Sequence, residues 1–306
     1  MRKAIDGFAI AIMIFVCVIW GTQQVAIKSV SADIPPVLQV ALRSSVAAFL
    51  VWIVMLIRRE TFKNIRDTLG PGLLVGLLFA LEFLFVAEGL KHTSASHMSV
   101  FLYTAPAFAA LGLQIFIPSE RLARAQWGGI ALAFVGILIA FLSGVNTAGN
   151  ATVHTLLGDA LGLLAGLSWG MTTVAIRCSS LNNAPASQTL FYQLFIASVV
   201  LFIYAYFSGQ THFSLSAASV TSLAYQAIVV AFVSYLVWFA LLKKYLAAQL
   251  GVLSFMTPIF GVLAGFLLLN EDLTPGFISG SILILLGIVI VSGYEWFLKK
   301  IKRIVN

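Results

Sequence analysis

The chain has 306 residues, 60% of them hydrophobic and only 9% charged, with a mean hydropathy of +1.02. Soluble domains run about 45–50% apolar and about 25% charged, so the composition excludes a soluble globule and points to an integral membrane protein. The net charge of +7 does not signal nucleic acid, because the basic residues collect at the ends of apolar runs, and two Cys give neither a disulfide framework nor a thiolate metal site.

A membrane-spanning helix needs about 20 mainly apolar residues. Ten such windows occur in chain order: Phe8–Val25, Val37–Ile57, Gly72–Leu90, Met98–Ile117, Trp127–Leu142, Leu156–Ile176, Leu190–Phe207, Val220–Leu242, Leu250–Leu269 and Phe277–Phe297. Turn residues separate them, among them Pro35-Pro36, Gly70-Pro71, Pro118-Ser119, Asn182-Asn183 and Thr274-Pro275. The windows are continuously apolar rather than alternating, which predicts helices and not a β-barrel. The longest polar stretch, Ser143–Thr155, predicts a short loop. Arg2-Lys3 before the first apolar run has the form of a signal peptide, but that run has a counterpart in the second half and reads as retained structure.

With the N-terminus placed inside, fifteen Lys and Arg fall on the inner side and two, Lys28 and Lys91, on the outer, while Arg43 lies within the second span. The positive-inside rule therefore places both termini in the cytoplasm.

Trp20-Gly21-x-x-x-Val25-Ala26-Ile27-Lys28 recurs as Trp169-Gly170-x-x-x-Val174-Ala175-Ile176-Arg177. Leu90-Lys91, Ala95, Val100, Tyr103, Pro106 and Phe108 recur as Leu242-Lys243, Ala247, Val252, Phe255, Pro258 and Phe260. Glu120, Gly129 and Gly136 match Glu271, Gly280 and Gly287. The offset stays near half the chain, and five spans per half is an odd number, so the halves 1–146 and 147–306 are expected in opposite orientations. Such inverted repeats build alternating-access carriers.

In this order and in two copies, the motifs resemble those of the drug/metabolite transporter superfamily, in particular its ten-span EamA-type members. The similar elements are the Trp-Gly-x-x-x-Val-Ala-Ile-Lys start, Arg43, Thr93-Ser94-Ala95 leading into span 4, Pro106, and Glu120-Arg121-Leu122, with Glu271 closing span 9 in the same way. The resemblance implies an all-α protein with two five-helix inverted repeats. It also implies a secondary carrier of the bacterial inner membrane that exports amino acids, aromatic and hydrophobic ones included, or related metabolites.

Ionisable groups in the hydrocarbon face a cavity or one another. Arg43 and Glu82 lie about 9 and 12 Å below the outer ends of spans 2 and 3 at about 1.5 Å per residue. They read either as a buried ion pair locking two helices or as a pair that recognises the two charges of a zwitterion. Glu88, Lys91 and His92 read as a solvated cluster, His97 as a residue at the mouth of span 4, and Asp159 as a first-turn acid facing outer water. Deeper polar and aromatic groups suit an amphipathic ligand in a central cavity: Trp20, Gln23, Gln24, Tyr103, Trp169, Tyr192, Gln193, Tyr235 and Trp238. Pro106 and Pro258, near the middle of spans 4 and 9, predict paired kinks that act as gates. Gly128-Gly129 with Gly136, and Gly280 with Gly287, predict close-packing faces, with dimer contacts as one use.

No H-E-x-x-H, G-x-S-x-G, Walker A or C-x-x-C motif occurs. The sequence therefore predicts no catalytic residues, metal or cofactor, and partners limited to a small-molecule substrate and membrane lipid, with one chain sufficient for the path. A carrier of nucleotide-derived or phosphorylated compounds would need several deep cations, and only Arg43 qualifies. An intramembrane enzyme would need a cluster of Asp, Glu, His or Cys at one depth, and Glu82 stands almost alone.

Overall fold

The computed structural model describes residues 5–62, 64–117, 122–145, 150–245 and 247–305, and it is helical throughout, with no strand among the described residues. Glu120 and Arg121 lie outside the described residues, as do the side chains of Trp296 and of Asn150-Ala151-Thr152. The helices are α1 (Gly7–Gly21), α2 (Gln23–Ser29), α3 (Pro36–Ile57), α4 (Ile65–Gly89), α5 (Ala95–Leu102), α6 (Ala105–Phe116) and α7 (Arg124–Val145) in the first half. The second half contains α8 (Asn150–Arg177), α9 (Ala186–Phe207), α10 (Ala217–Ala224), a π-helix at Tyr225–Ser234, α11 (Tyr235–Lys244), α12 (Ala247–Ser254), α13 (Met256–Leu269) and α14 (Pro275–Val305).

Among the described residues, seven helical stretches are long and apolar enough to cross a membrane, and three further apolar helices, Arg124–Ala140, Met256–Leu269 and Pro275–Val291, are shorter. Large apolar side chains cover the outside of the bundle. Phe15, Ile115, Leu138 and Leu267 are each at least 60% exposed, an arrangement that only hydrocarbon solvates well. The chain is thus a multi-pass integral membrane protein.

Helix ends depart from the apolar windows, because hydropathy marks the hydrocarbon-depth part of a helix and not its caps. Two expected breaks are helical. Most of Ser143–Thr155 belongs to the ends of α7 and α8, and Gly70-Pro71 lies inside α4. Pro71 has no N–H for the Asp67 carbonyl one turn back, and Ser180 Oγ donates to that carbonyl instead, at 2.7 Å. The lost helix bond is replaced from another element, so the proline is tolerated.

Helices of the two halves interleave. α7 and α14 form the most extensive seam, α4 packs on α8 and α9, α3 on α9 and the π-helix, α6 on α8, and α1 on α13. Glycines set the closest approaches. A Cβ on Gly136 would lie 2.6 Å from the Gly280 carbonyl oxygen, and one on Gly129 would lie 2.7 Å from that of Gly287. The small-residue faces therefore close on each other within one chain. Gly128 faces open space.

Candidate functional site

The Trp-Gly motif has the same geometry in both halves. Gly21 ends α1 against α13, where a Cβ would meet the Thr257 carbonyl oxygen and the Gly261 nitrogen at 2.8 Å. Gly170 sits against α6, where a Cβ would meet the Ala105 carbonyl oxygen at 2.8 Å and the Ala109 nitrogen at 2.9 Å. Each glycine lets its helix touch the backbone of a broken span in the opposite half. The preceding tryptophans differ in what they meet: Trp20 the end of the π-helix and α11, Trp169 the break between α5 and α6. Trp20 Nε1–H donates to Ser234 Oγ at 2.7 Å, and its ring meets Tyr235 and Trp238 at 6.0 and 5.5 Å. Trp169 packs edge-on against Tyr103 at 5.1 Å.

Three apolar stretches are interrupted where these residues gather. Span 1 breaks at Thr22 between α1 and α2, span 4 at Tyr103-Thr104 between α5 and α6, and span 9 at Phe255 between α12 and α13. Backbone groups freed in hydrocarbon need other partners. At the first break the Ile19 carbonyl accepts from Tyr225 OH at 3.0 Å and from Thr22 Oγ1. At the second, Thr104 Oγ1 donates to the Phe101 carbonyl. Pro106 and Pro258 are not kinks in continuous helices, as the sequence suggested. Each occupies the first turn of the half-helix after a break, where a missing N–H costs no helix bond.

The π-helix brings Tyr225, Gln226 and Ser234 to α1 and α3. Gln226 Nε2 donates to Gln39 Oε1 at 2.8 Å, and Gln39 Nε2 donates to the carbonyls of Ile34 and Ile27. The sequence reading missed this fully buried pair, although a Gln within an apolar run was a visible signal. Ser234 carried none. Gln23 and Gln24 are both buried on α2, and Gln24 Oε1 has no hydrogen-bond partner.

Arg43 and Glu82 are 2% and 5% exposed. They do not form the ion pair that one reading of the sequence allowed, because no Arg43 nitrogen lies within 4.0 Å of a Glu82 oxygen among the ion pairs of the described residues. Arg43 instead lies over the Phe83 ring, 4.2 Å from its centroid. Its Nε and Nη1, and Glu82 Oε2, are buried without a hydrogen-bond partner. Tyr235 is the other ionisable group in electrostatic reach of Arg43.

Tyr192 is not brought into this group. Tyr192 belongs to a separate cluster with Val75 and Leu181, its ring against Gly72 and Phe62 and its hydroxyl 3.3 Å from Thr68 Oγ1. A groove of about 340 Å³ on the nearby α3–α9 seam is lined by Ser45, Phe49, Trp52 and Phe195 and opens onto the apolar exterior.

The Lys28 end of the molecule holds two polar networks. Glu271 accepts from Ala95 N at 2.7 Å, Ser96 N at 2.9 Å, Ser96 Oγ at 2.7 Å and Lys28 Nζ at 3.3 Å, which caps α5 from the end of α13. Lys28 Nζ also donates to the Thr93 carbonyl at 2.7 Å. Burial alone would raise the Glu271 pKa, but the donors of Ser96 and Ala95 and the charge of Lys28 hold it below the usual carboxylate range. Asp159, expected to face outer water, is 1% exposed. Its Oδ2 lies 2.9 Å from His97 Nδ1, and it accepts from Thr93 Oγ1, because α8 packs on Gly89 and Thr93 at Gly158 and on α5 at Gly162. His97 stacks on Phe277 at 3.9 Å. Glu88 and Lys91 pair at 2.8 Å and share Gln210.

Comparison with known proteins agrees with this geometry. The EamA-like transporter family matches the chain twice, over residues 7–142 and 156–293. A probable amino-acid metabolite efflux pump of Salmonella typhimurium is 30% identical, aligned over 93% of this chain and 94% of its own. One of the same description from Escherichia coli is 30% identical over 92% and 94%. A solved crystal structure shares the fold with a TM-score of 0.63 at 18% identity, covering 92% of this chain and 94% of that one. The chain belongs to the EamA-like transporter family, and it is a membrane transporter rather than an enzyme.

Proposed function

We propose that this protein exports small organic metabolites, with amino acids as the substrate class, by alternating access through a path between its two halves. The reading takes the chain as ten spans in two inverted five-span repeats, residues 1–146 and 147–306, with both termini in the cytoplasm of a bacterial inner membrane. The observation that carries it is the mirrored wedge of the two glycines: Gly21 lies against α13, just after the α12–α13 break, and Gly170 against α6, just after the α5–α6 break. Half-helices at repeat interfaces are where carriers of this architecture bind cargo. The efflux pumps to which the chain is similar support the direction and the substrate class.

In this reading Trp20, Gln23, Gln24, Arg43, Glu82, Tyr103, Trp169, Gln193, Tyr235 and Trp238 line the path, while Tyr192 holds α9 on α4. Pro106 and Pro258 start the half-helices that swing at the two gates. One chain suffices, and lipid covers its exterior.

Counterflow tests the proposal. Purified protein in liposomes, preloaded with single amino acids, is expected to trap labelled amino acid from outside, and Trp169→Ala should lower trapping at least tenfold. Absence of counterflow with every amino acid, in protein that remains monodisperse, would remove the amino-acid assignment.

A further inference from the structure

A buried guanidinium and a buried carboxyl that do not bond each other inside a membrane protein need an explanation. An unpaired ion in hydrocarbon is costly, and a direct salt bridge would relieve both partners. Arg43 and Glu82 forgo that bridge, although each is the other's electrostatic neighbour. Arg43 is fixed by its stacking on Phe83, one residue from Glu82 and therefore pointing a different way around α4. The unsatisfied atoms are two guanidinium nitrogens on one side and one carboxylate oxygen on the other. They complement a molecule that presents a carboxylate and an ammonium together.

We propose that Arg43 and Glu82 read the two charged ends of an amino-acid head group: the guanidinium takes the substrate carboxylate, and the Glu82 carboxylate takes the ammonium. The inference rests on the export reading above and narrows it to free zwitterions. Charge-assisted bonds of about 2.7–2.9 Å are the strong ones open to a guanidinium and a carboxylate left without partners. Desolvated sites built to pair a charged group reject analogues that lack it, because their own groups are then left unpaired. The aromatic groups Trp20, Tyr103, Trp169 and Tyr235 are left to contact the substrate body, so selectivity is set by the head group first.

The test is counterflow by the full-length protein in liposomes with three forms of each amino acid: the free acid, the amide, which lacks the negative charge, and the N-acetyl derivative, which lacks the positive one. Wild type is expected to trap the free form at least tenfold better than either derivative. Glu82→Gln should lose discrimination against the N-acetyl form and keep it against the amide, and Arg43→Gln should do the reverse. Arg43→Lys and Glu82→Asp, which keep the charges, should restore part of each preference. Equal transport of all three forms by wild type would overturn the inference while leaving amino-acid export standing. It would equally be overturned if both Gln variants kept the wild-type preference. Where a Gln variant does not yield folded protein, the wild-type comparison of the three forms decides. Silence toward every form by folded wild type would instead sink the export reading on which the inference rests.

Discussion

Glu271 joins four donors from two segments, and its chemistry has a definite sign. A carboxyl whose folded pKa lies below its unfolded value stabilises the fold at pH above the unfolded value, and the contribution is lost as pH falls through the folded one. The melting temperature of the purified protein should therefore hold from neutral pH down to about 4, near the ordinary Glu value, and drop below it. Glu271→Gln removes the charge and leaves at least one of the Ala95, Ser96 and Lys28 donors short of an acceptor. It should cost about 1–3 kcal/mol at neutral pH and flatten the acid drop. Thermal scans of both proteins from pH 3 to 7 check this, and an unchanged acid profile in the variant would assign the drop to other groups. The position of Glu271 at a span end was legible, since two Glu fall in register in the repeat. The partnership of His97 with Asp159 was not legible, because it joins residues 62 positions apart through helix packing that no local pattern encodes.

At the scale of helices, the α7–α14 seam depends on backbone meeting backbone. A side chain on Gly136 would have to displace the Gly280 carbonyl and the Ile284 nitrogen, and neither can move without its helix. Gly136→Val should therefore destabilise by about 1–3 kcal/mol and reduce the yield of monodisperse protein, whereas Gly128→Ala should stay within about 0.5 kcal/mol of wild type. Size-exclusion profiles after graded heating separate the two, and equal tolerance would show that the seam can open. The glycine spacing announced a packing face, but only the fold shows that it is used inside the chain. Breaks in the spans were harder to read. Apolar residues run straight through Tyr103-Thr104 and Phe255, so hydropathy reports a continuous segment where the backbone is divided. The prolines pointed to the right places with the wrong geometry, since a proline that kinks a helix and one that starts a helix look alike in sequence. The π-helix gave no signal, because its residues are ordinary helix formers in an unusual register.

Across the whole molecule, sequence and structure contribute different parts of one argument. The recurring motifs are written in residues and can be read directly; the contacts between the first and second halves of the chain had to be seen, because span hydropathy carries no information about neighbours. The proposed orientation rests on charge, with fifteen cationic residues assigned to one side, and the two cysteines test it. Cys178 is exposed just beyond Arg177 at the end of α8, whereas Cys17 is buried in α1 with its thiol 3.5 Å from the Leu253 carbonyl oxygen. If the termini are cytoplasmic, α8 enters from outside and delivers Cys178 to the cytoplasm. A membrane-impermeant maleimide should then label inside-out vesicles and spare intact cells, and Cys178→Ser should abolish the signal. Cys17 should react only after denaturation. Labelling of Cys178 in intact cells would invert the molecule, put the Lys28–Glu271 network on the cytoplasmic side, and make the side now taken as the exit the point of entry.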